Sequence, residues 1–363
     1  MSNYVYIHIP FCTEICSYCD FCKMYYNEKI ISDYLKALEN EIKKRYHGEV
    51  VNTIYIGGGT PSSLSISHLK ELFNILKIFK LNKKCEFTFE CNINDITEEK
   101  LRLIYDNKVN RLSIGIQSFN EKNLKILKRK HNKEDIFSKI DLIKKIGFNN
   151  INVDLMYAIP GQTLNDLEED IDTFLSLDIN HISTYSLIIE PHTYLTITNT
   201  KPISEDLEYN MYKLICKKLK KNGFSHYEIS NFSKKGFESK HNLNYWNNNS
   251  YYGFGLGATS YLNSIRYNNT RSIKHYIDGK YILDEEKITE KEQMSNEMIL
   301  GFRKLKGVNK KTFFKKYGKM IDEVFDIKEL LKQKYLIDNG KNIYINKKYL
   351  YVENSILIKF LGG

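Results

Sequence analysis

The chain has 363 residues, 42% of them hydrophobic, and a formal net charge of +10 at pH 7. These values predict a folded protein with one large domain and a smaller second unit. No apolar run reaches the roughly 18 residues that a membrane helix needs, and no signal-peptide pattern is visible, so we expect a cytoplasmic protein without stable membrane insertion. The lysines are scattered through amphipathic helices rather than gathered in one tract, which argues against nucleic acid as a partner.

Apolar strand-like runs alternate with helical patterns from the start of the chain. The strands are VYIHI, TIYIG, CEFTFE, RLSIGIQ, INVDLMY and HISTYSLII, and the helices lie near 30–46, 67–79, 97–107, 120–145, 164–177 and 205–222. Six strands that are each followed by a helix predict parallel βαβ units, which can curl into an open or partial barrel. The predicted fold class is therefore α/β, with a partial (β/α)6 barrel over residues 1–225.

The pattern changes after the last of these helices. Residues 226–288 are rich in Asn, Tyr and Gly and lack clear periodicity, so we predict a loop-rich connecting region with short strands over the barrel mouth. Residues 289–363 return to helical patterns and then contain YLIDNGKNIYIN, in which Asn339-Gly340 predicts a hairpin. We expect a small helical and winged C-terminal domain. Because it lacks a basic recognition helix, it is better interpreted as an interaction module than as a DNA-binding unit.

Three of the seven cysteines, Cys12, Cys16 and Cys19, form a CxxxCxxC arrangement directly after the first strand. Three thiolates on one loop, here 12–22, can bind three irons of a [4Fe-4S] cluster and leave the fourth iron for a chelating molecule such as S-adenosylmethionine. The alternative is a zinc site in which Cys22 completes a closed tetrahedral shell. Zinc sites usually use paired CxxC units, whereas a CxxxC step comes first here. The pattern therefore favours the iron–sulfur cluster and leaves the role of Cys22 open.

Polar or glycine residues accompany the carboxyl ends of several predicted strands, which is where a βα barrel carries its active site. The run GGGT at 57–60 lets a ligand approach the backbone closely. Glu90, Gln117 and Asp154 belong to the third, fourth and fifth strands, so we expect them to converge on one cavity as partners for ribose hydroxyls and an aminoacyl group. Taken singly, each also fits an ordinary strand-end hydrogen bond. Arg129 lies beyond the fourth strand and would by default be a surface arginine.

The motifs together resemble the radical SAM family that contains the oxygen-independent coproporphyrinogen III oxidases and the HemW heme chaperones. In family order they are YIHIPFCTEICSYCDF, GGGTPS, FECN at 89–92, IGIQSF at 114–119, DLMYAIPGQT at 154–163 and EISNFS at 228–233. The resemblance implies a radical SAM barrel and a [4Fe-4S] cluster on Cys12, Cys16 and Cys19. It places around S-adenosylmethionine the residues Tyr6, Tyr18, Gly58, Gly59, Thr60, Glu90, Gln117, Arg129, Asp154 and Ile188. Some of these belong to a second such pocket in the oxidase branch.

Three features distinguish the chain from the oxidase branch and agree with the HemW branch. The longer N-terminal extension of the oxidases is absent from this sequence, and Asp-Phe follows Cys19 where the oxidases continue as CxC. The third feature is HNLNYW at 241–246, which matches an HNxxYW motif. The resemblance implies heme as a ligand with His241 at its iron, because imidazole is a good axial ligand. The residues alone would instead favour packing of this loop onto the barrel.

The expected function is that of a heme chaperone, which binds heme, a [4Fe-4S] cluster and S-adenosylmethionine and passes heme to acceptor hemoproteins such as respiratory ones. The alternative is an oxidase that cleaves S-adenosylmethionine to a 5′-deoxyadenosyl radical and decarboxylates coproporphyrinogen III. A third hypothesis is a zinc-stabilised interaction protein. The sequence assigns no catalytic residue. It leaves open whether S-adenosylmethionine is cleaved, whether a second pocket exists, which protein accepts heme and whether the chain forms a homodimer.

Overall fold

The structure, a computed structural model, describes residues 2–361. The strands are β1 (Tyr4–Ile9), β2 (Phe11–Cys12), β3 (Met24–Tyr25), β4 (Val50–Gly58), β5 (Lys80–Asn92), β6 (Arg111–Gln117), β7 (Ile151–Tyr157), β8 (His181–Ser186), β9 (Ser225–Glu228), β10 (Asn231–Ser233), β11 (Tyr252–Phe254), β12 (Thr259–Leu262), β13 (Ile265–Asn269), β14 (Ile282–Lys287), β15 (Val308–Asn309), β16 (Leu336–Asp338) and β17 (Asn342–Ile345).

The helices are α1 (Glu28–Arg45), α2 (Ile66–Leu76), α3 (Glu98–Asp106), α4 (Glu121–Leu127), α5 (Lys133–Ile146), α6 (Leu164–Ser176), α7 (Tyr194–Ile197), α8 (Glu205–Lys221), α9 (Lys240–Trp246), α10 (Ile273–Ile277), α11 (Glu290–Phe302), α12 (Lys310–Tyr317), α13 (Ile321–Val324), α14 (Lys328–Lys332) and α15 (Glu353–Leu357). Short 3₁₀ segments lie at Pro61–Ser63, Ile93–Asp95, Lys347–Val352 and Ile358–Phe360. None of the helices between residues 2 and 361 combines the length and apolar composition that crossing a lipid bilayer requires.

The six strands predicted from the sequence form the centre of a nine-stranded sheet. The sheet order is β11-β1-β4-β5-β6-β7-β8-β10-β9. Strands β1, β4, β5, β6, β7 and β8 pair in parallel, which agrees with helical crossovers between successive strands. No pairing between the described edge strands closes this sheet. The predicted α/β class is therefore confirmed, and the barrel is open.

The two faces of the central strands have different chemistry, because successive side chains of a strand point to opposite sides. On one face Leu112, Ile114 and Val153 belong to the main hydrophobic core together with helix residues such as Ile140. On the other face the same strands carry polar side chains that line a cavity. The apolar face anchors the strands and thereby fixes where the polar side chains meet.

The central sheet extends further along the chain than the sequence indicated. Strand β11 pairs in parallel with β1 at one edge, and β10 and β9 add in antiparallel fashion at the other. The predicted boundary at residue 225 falls within β9, which belongs to this sheet. Strands of three or four residues are too short to produce a clear periodicity, so the sequence did not place them in the sheet. Strands β12, β13 and β14 form a separate antiparallel sheet.

The C-terminal residues form a smaller unit with its own apolar core. Met298 and Phe302 of α11 pack in this core with Phe313 of α12. Strands β15, β17 and β16 form a three-stranded sheet, and β16 and β17 pair in antiparallel fashion across the turn that contains Asn339 and Gly340. The predicted hairpin is confirmed.

A buried carboxylate joins α1 to the stretch that follows β11. Glu41 is fully buried and accepts hydrogen bonds from the Gly255 amide (2.9 Å), the Tyr276 hydroxyl (2.6 Å) and the Asn269 side-chain amide (2.7 Å). Arg45, one turn further along α1, forms a 2.5 Å ion pair with Glu41. Every carboxylate oxygen thus has a partner, which is the condition under which a buried charge stabilises a fold.

We predict that Glu41→Ala lowers the free energy of unfolding by about 3 to 5 kcal/mol, because it leaves the Arg45 guanidinium without its buried partner. Glu39→Ala is the matched control, since Glu39 forms an exposed ion pair with Lys43 on the same helix, and it should cost less than about 1 kcal/mol. Urea unfolding followed by circular dichroism measures both. Equal losses in the two variants would contradict the structural role of Glu41.

Candidate functional site

A cavity of about 400 Å³ opens at the carboxyl ends of the parallel strands. It is lined on one side by the cysteine loop, residues 12–22, and on the other by alternate residues of five strands. The strand side chains that face it are Tyr55, Glu90, Asn92, Arg111, Ser113, Gln117, Asn152, Asp154, Ser183 and Tyr185. This is the location at which βα barrels carry their active sites.

The three cysteines of the loop, Cys12, Cys16 and Cys19, line the cavity as free thiols. The loop is held by backbone hydrogen bonds from Tyr26 to the Cys12 carbonyl (2.9 Å) and from Ser17 to a carbonyl at the end of α4 (3.3 Å). Because these bonds reach beyond the loop, its position relative to the sheet is defined by the surrounding elements.

The cysteine loop does not present a preformed site for a single metal ion. Between residues 2 and 361, no three His, Cys, Asp or Glu side chains lie close enough together to bind one ion. Tetrahedral zinc with Zn–S bonds near 2.3 Å needs sulfurs about 3.8 Å apart, whereas a cubane bonds each cysteine to a different iron and separates them further. Cys22 does not line the cavity, and its carbonyl accepts a 2.7 Å hydrogen bond from His8. The zinc hypothesis needs Cys22 as its fourth ligand, and Cys22 lies outside the lining that the other three cysteines share.

The glycine run at 57–59 allows β4 to approach its neighbours closely. A Cβ on Gly57 would lie 2.7 Å from the Glu90 carboxylate carbon, and one on Gly59 would lie 2.7 Å from the backbone of Pro10. Gly58 has φ +114° and would bring a Cβ within 2.6 Å of the His8 ring. Any side chain here would displace either Glu90 or the strand that leads into the cysteine loop. The run is thus required by packing as well as by access to a ligand.

Two carboxylates face the cavity in different surroundings. Glu90 accepts hydrogen bonds from the Tyr55 hydroxyl (2.6 Å) and the Gly58 amide (3.1 Å), and burial raises its pKa to about 7. Asp154 accepts a 2.9 Å hydrogen bond from the Asn152 amide, and burial raises its pKa as well. Near neutral pH, Glu90 therefore changes charge easily, and a hydrogen-bond donor from a ligand would favour its ionised form.

Gln117 is held in a strained conformation at the end of β6. Its φ of +74° lies in the left-handed region, which for a residue other than glycine costs on the order of 1 to 3 kcal/mol. The side chain is buried, and its Oε1 has no hydrogen-bond partner among the described residues. Such strain at a cavity wall is characteristic of ligand-binding positions. The free oxygen is available to a ligand donor.

Arg129 is not the surface residue that the sequence suggested by default. Lys128 ends α4 in a left-handed conformation, and the chain then turns back toward the cavity. The Arg129 guanidinium donates to the Tyr18 hydroxyl (3.1 Å) and to the Gly115 carbonyl (3.1 Å). The absence of a side chain on Gly115 favours this contact, since a Cβ there would lie 3.1 Å from the guanidinium.

The cavity brings together nearly all the residues that the resemblance placed around S-adenosylmethionine. These are Tyr18, Gly58, Gly59, Thr60, Glu90, Gln117, Arg129, Asp154 and Ile188. Ile188 is 64% exposed at the mouth of the cavity. Tyr6 is outside the lining, and its hydroxyl lies 3.0 Å from His8 Nδ1. Tyr6 can therefore influence the cavity only through its neighbours.

The structure places His241 away from both the cavity and solvent. Its side chain is 1% exposed, and its two ring nitrogens lie 2.7 Å from the Thr53 hydroxyl and 2.9 Å from the Tyr245 hydroxyl. Its ring packs on that of Tyr55, with the ring centroids 5.1 Å apart. The Glu86 carboxylate accepts a 3.0 Å hydrogen bond from the His241 backbone amide. An iron bound at His241 would have to replace one of these hydrogen bonds. The packing interpretation describes the observed position.

Arg111 is a cavity residue that the sequence interpretation missed. It is 2% exposed, and its Nε has no hydrogen-bond partner among residues 2–361. Burial raises the pKa of both Glu90 and Asp154, and the positive charge of Arg111 offsets part of this rise. The sequence could have indicated this position, because Arg111 and Gln117 are an even number of residues apart on one strand and so point to the same face of the sheet.

Comparison with known proteins gives consistent similarities. The Radical SAM superfamily model matches residues 6–174, and the HemN C-terminal domain model matches residues 288–348. The heme chaperone HemW of Bacillus subtilis is 42% identical over 98% of this chain and 98% of that protein. The heme chaperone HemW of Lactococcus lactis is 40% identical over 99% and 97%, respectively. The solved structure of coproporphyrinogen III oxidase (HemN) from Escherichia coli matches with a TM-score of 0.87 over 98% of this chain and 89% of that chain. Its 21% identity shows a shared fold alone.

Anaerobic reconstitution should load about four irons per chain, and alanine at Cys12, Cys16 or Cys19 should abolish this uptake. Cys22→Ala is the matched control within the same loop and should retain the iron, because Cys22 does not line the cavity. Iron analysis and absorbance spectra measure the outcome. Protein that holds a single zinc, lost in Cys22→Ala, would contradict the cluster assignment.

Proposed function

The chain belongs to the HemW family of radical SAM proteins, and from this premise we propose that it is a heme chaperone with a [4Fe-4S] cluster and bound S-adenosylmethionine. The observation that carries the cofactor part is the convergence of the cysteine loop and the polar strand residues on one cavity. The heme part rests on the relatives, which are heme chaperones by name. We keep the cytoplasmic location, the acceptor hemoproteins and the interaction role of residues 289–363 as parts of this proposal.

Membership in the radical SAM superfamily implies a [4Fe-4S] cluster and S-adenosylmethionine. We assign the cluster to Cys12, Cys16 and Cys19, whose three thiolates leave one iron for the amino and carboxylate groups of the cofactor. A cluster held by these cysteines would supply reducing chemistry next to the sulfonium of S-adenosylmethionine. The protein's own side chains bind and orient S-adenosylmethionine. Arg111 offers a buried positive charge to an anionic group, and Asp154 offers a half-buried acceptor to an ammonium group.

Glu90 and Gln117 are suited to orient the ribose. The Glu90 carboxylate is fixed by the Tyr55 hydroxyl and the Gly58 amide, so its remaining lone pairs have a defined direction. Gln117 adds an oxygen without a partner among the described residues. Two adjacent hydroxyls can donate to such acceptors. The cavity also excludes bulk water from the buried guanidinium of Arg111, which strengthens its interaction with an anion.

The heme part of the proposal distinguishes a carrier from an enzyme. Similarity of fold to coproporphyrinogen III oxidase does not carry an activity, because both functions use the same fold and cluster. The chaperone proposal requires that the chain take up heme and release it to another protein. The oxidase alternative requires that it convert coproporphyrinogen III with a reductant and S-adenosylmethionine. The two requirements can be tested on the same preparation.

Glu90→Gln should weaken S-adenosylmethionine binding to the cluster-loaded protein by about tenfold or more, because hydrogen bonds to a charged group contribute roughly 1.5 to 3 kcal/mol. In the wild type, affinity should fall between about pH 8 and pH 6, since the pKa of Glu90 is about 7 and protonation removes the charge that accepts the hydroxyls. The Gln variant should lose this pH dependence. Iron content serves as the control and should stay unchanged. Identical affinity and pH profiles in both proteins would remove Glu90 from the site.

The purified chain should bind close to one heme and transfer it to an apo-hemoprotein, and it should not decarboxylate coproporphyrinogen III. Absorbance titration with hemin measures the uptake, and the spectrum of the acceptor measures the transfer. Product analysis after anaerobic incubation with a reductant and S-adenosylmethionine measures the oxidase activity. A chain that takes up no heme yet converts coproporphyrinogen III would replace the chaperone proposal by the oxidase alternative.

A further inference from the structure

A second cavity, the α8 cleft, lies between helix α8 and the 3₁₀ segment Lys347–Val352. Its volume is about 470 Å³, which lies within the range of small-molecule sites. It shares no lining residue with the cavity beside the cysteine loop. A ligand here would therefore be independent of the cluster and of S-adenosylmethionine.

The walls of the α8 cleft are aromatic and apolar. The ring centroid of Tyr351 lies 5.0 Å from that of Tyr209 and 5.7 Å from that of Tyr212. Phe224, Leu305 and Leu350 add apolar side chains to the lining. Aromatic and aliphatic walls of this kind favour a flat apolar ligand over a sugar or a peptide backbone.

The rim of the α8 cleft is positively charged. Four of its lining residues are lysines, namely Lys213, Lys220, Lys347 and Lys348, and none is acidic. None of these four forms a salt bridge within the part of the chain that the structure describes. The cleft thus favours an anion. The cleft runs along α8 from Tyr209 to Lys220, and its cationic rim matches a ligand that carries carboxylates.

The α8 cleft also contains an imidazole in a form suited to bind a metal. His226 Nε2 lies 3.1 Å from the Ile229 carbonyl oxygen, which accepts its proton and leaves the lone pair on Nδ1. Metal-binding histidines characteristically donate their other ring N–H in this way. The ring is fixed by stacking on Phe232 at 4.1 Å, and burial lowers its pKa to about 4, so it is neutral at pH 7. The nearby Cys216 is less suited, because burial raises the pKa of its thiol to about 11.

We propose that the α8 cleft is a heme site, in which the aromatic walls hold the macrocycle, the lysine rim holds its carboxylates and His226 binds its iron. This inference rests on the proposed chaperone function and gives it a location. A planar aromatic dianion with a coordinating metal combines the properties that the walls, the rim and His226 each require. The site is separate from the buried His241 and is open to solvent for exchange with an acceptor.

Two probes separate the contributions of iron and carboxylates in the full-length chain. Hemin tests all three contacts, whereas metal-free protoporphyrin IX lacks the iron bond. We expect His226→Ala to weaken hemin binding by about tenfold or more, to shift the heme absorbance band, and to change protoporphyrin affinity by less than about twofold. We expect the double variant Lys347→Glu/Lys348→Glu to weaken both probes by about tenfold or more, because it reverses two rim charges.

The matched control is Lys311→Glu/Lys315→Glu on α12, which makes the same charge change outside the cleft and should bind both probes as the wild type does. The double lysine variant keeps the test valid even if His226→Ala fails to fold, because its positions are on the surface. Wild-type protein that takes up no hemin would overturn the chaperone function itself. Hemin binding that is unchanged in both cleft variants would overturn the α8 cleft alone, most directly if His241→Ala loses it.

Discussion

The hydrogen bond from Tyr55 to Glu90, 2.6 Å long, is the interaction on which the geometry of the cavity depends. A carboxylate in this position loses hydration, so it must be paired to remain in one orientation. Gly58 supplies the second donor, and Gly57 provides the space, since a Cβ there would meet the carboxylate at 2.7 Å. The positions of the glycine run, the end of β5 and the Glu90 carboxylate therefore depend on one another. A change in any of them displaces the others.

The same tyrosine connects the cavity to the HNxxYW helix. Tyr55 packs on His241, whose nitrogens are held by Thr53 and Tyr245. The Glu86 carboxylate accepts the first amides of α9 and fixes that helix against β5. The motif thus supports the wall that carries Glu90, and this support explains a buried, neutral imidazole without a metal. The proposed heme site in the α8 cleft is independent of this motif and offers a half-buried imidazole and a cationic rim.

Much of the fold and of the cavity could be predicted from the sequence, because six apolar runs with helical spacers define parallel βαβ units and polar residues at strand ends share one edge. Contacts between distant residues could not be predicted in this way. Arg129 contacts Tyr18, 111 residues away in the sequence, because the left-handed Lys128 turns the chain back toward the cavity. Hydrophobic periodicity does not indicate such a turn. The sequence could not show whether His241 is buried or is exposed as a metal ligand. Its burial depends on the contact between the first turn of α9 and the Glu86 carboxylate, which is distant in the sequence.

We propose above that one cavity holds both a three-cysteine cluster and S-adenosylmethionine at its open iron. Pulsed electron paramagnetic resonance of the reduced protein, with S-adenosylmethionine labelled by ¹⁵N at the amino group, tests this claim most directly. We expect a hyperfine coupling between the label and the cluster that is absent without the cofactor. A protein with full cluster occupancy and bound S-adenosylmethionine that shows no coupling would contradict it.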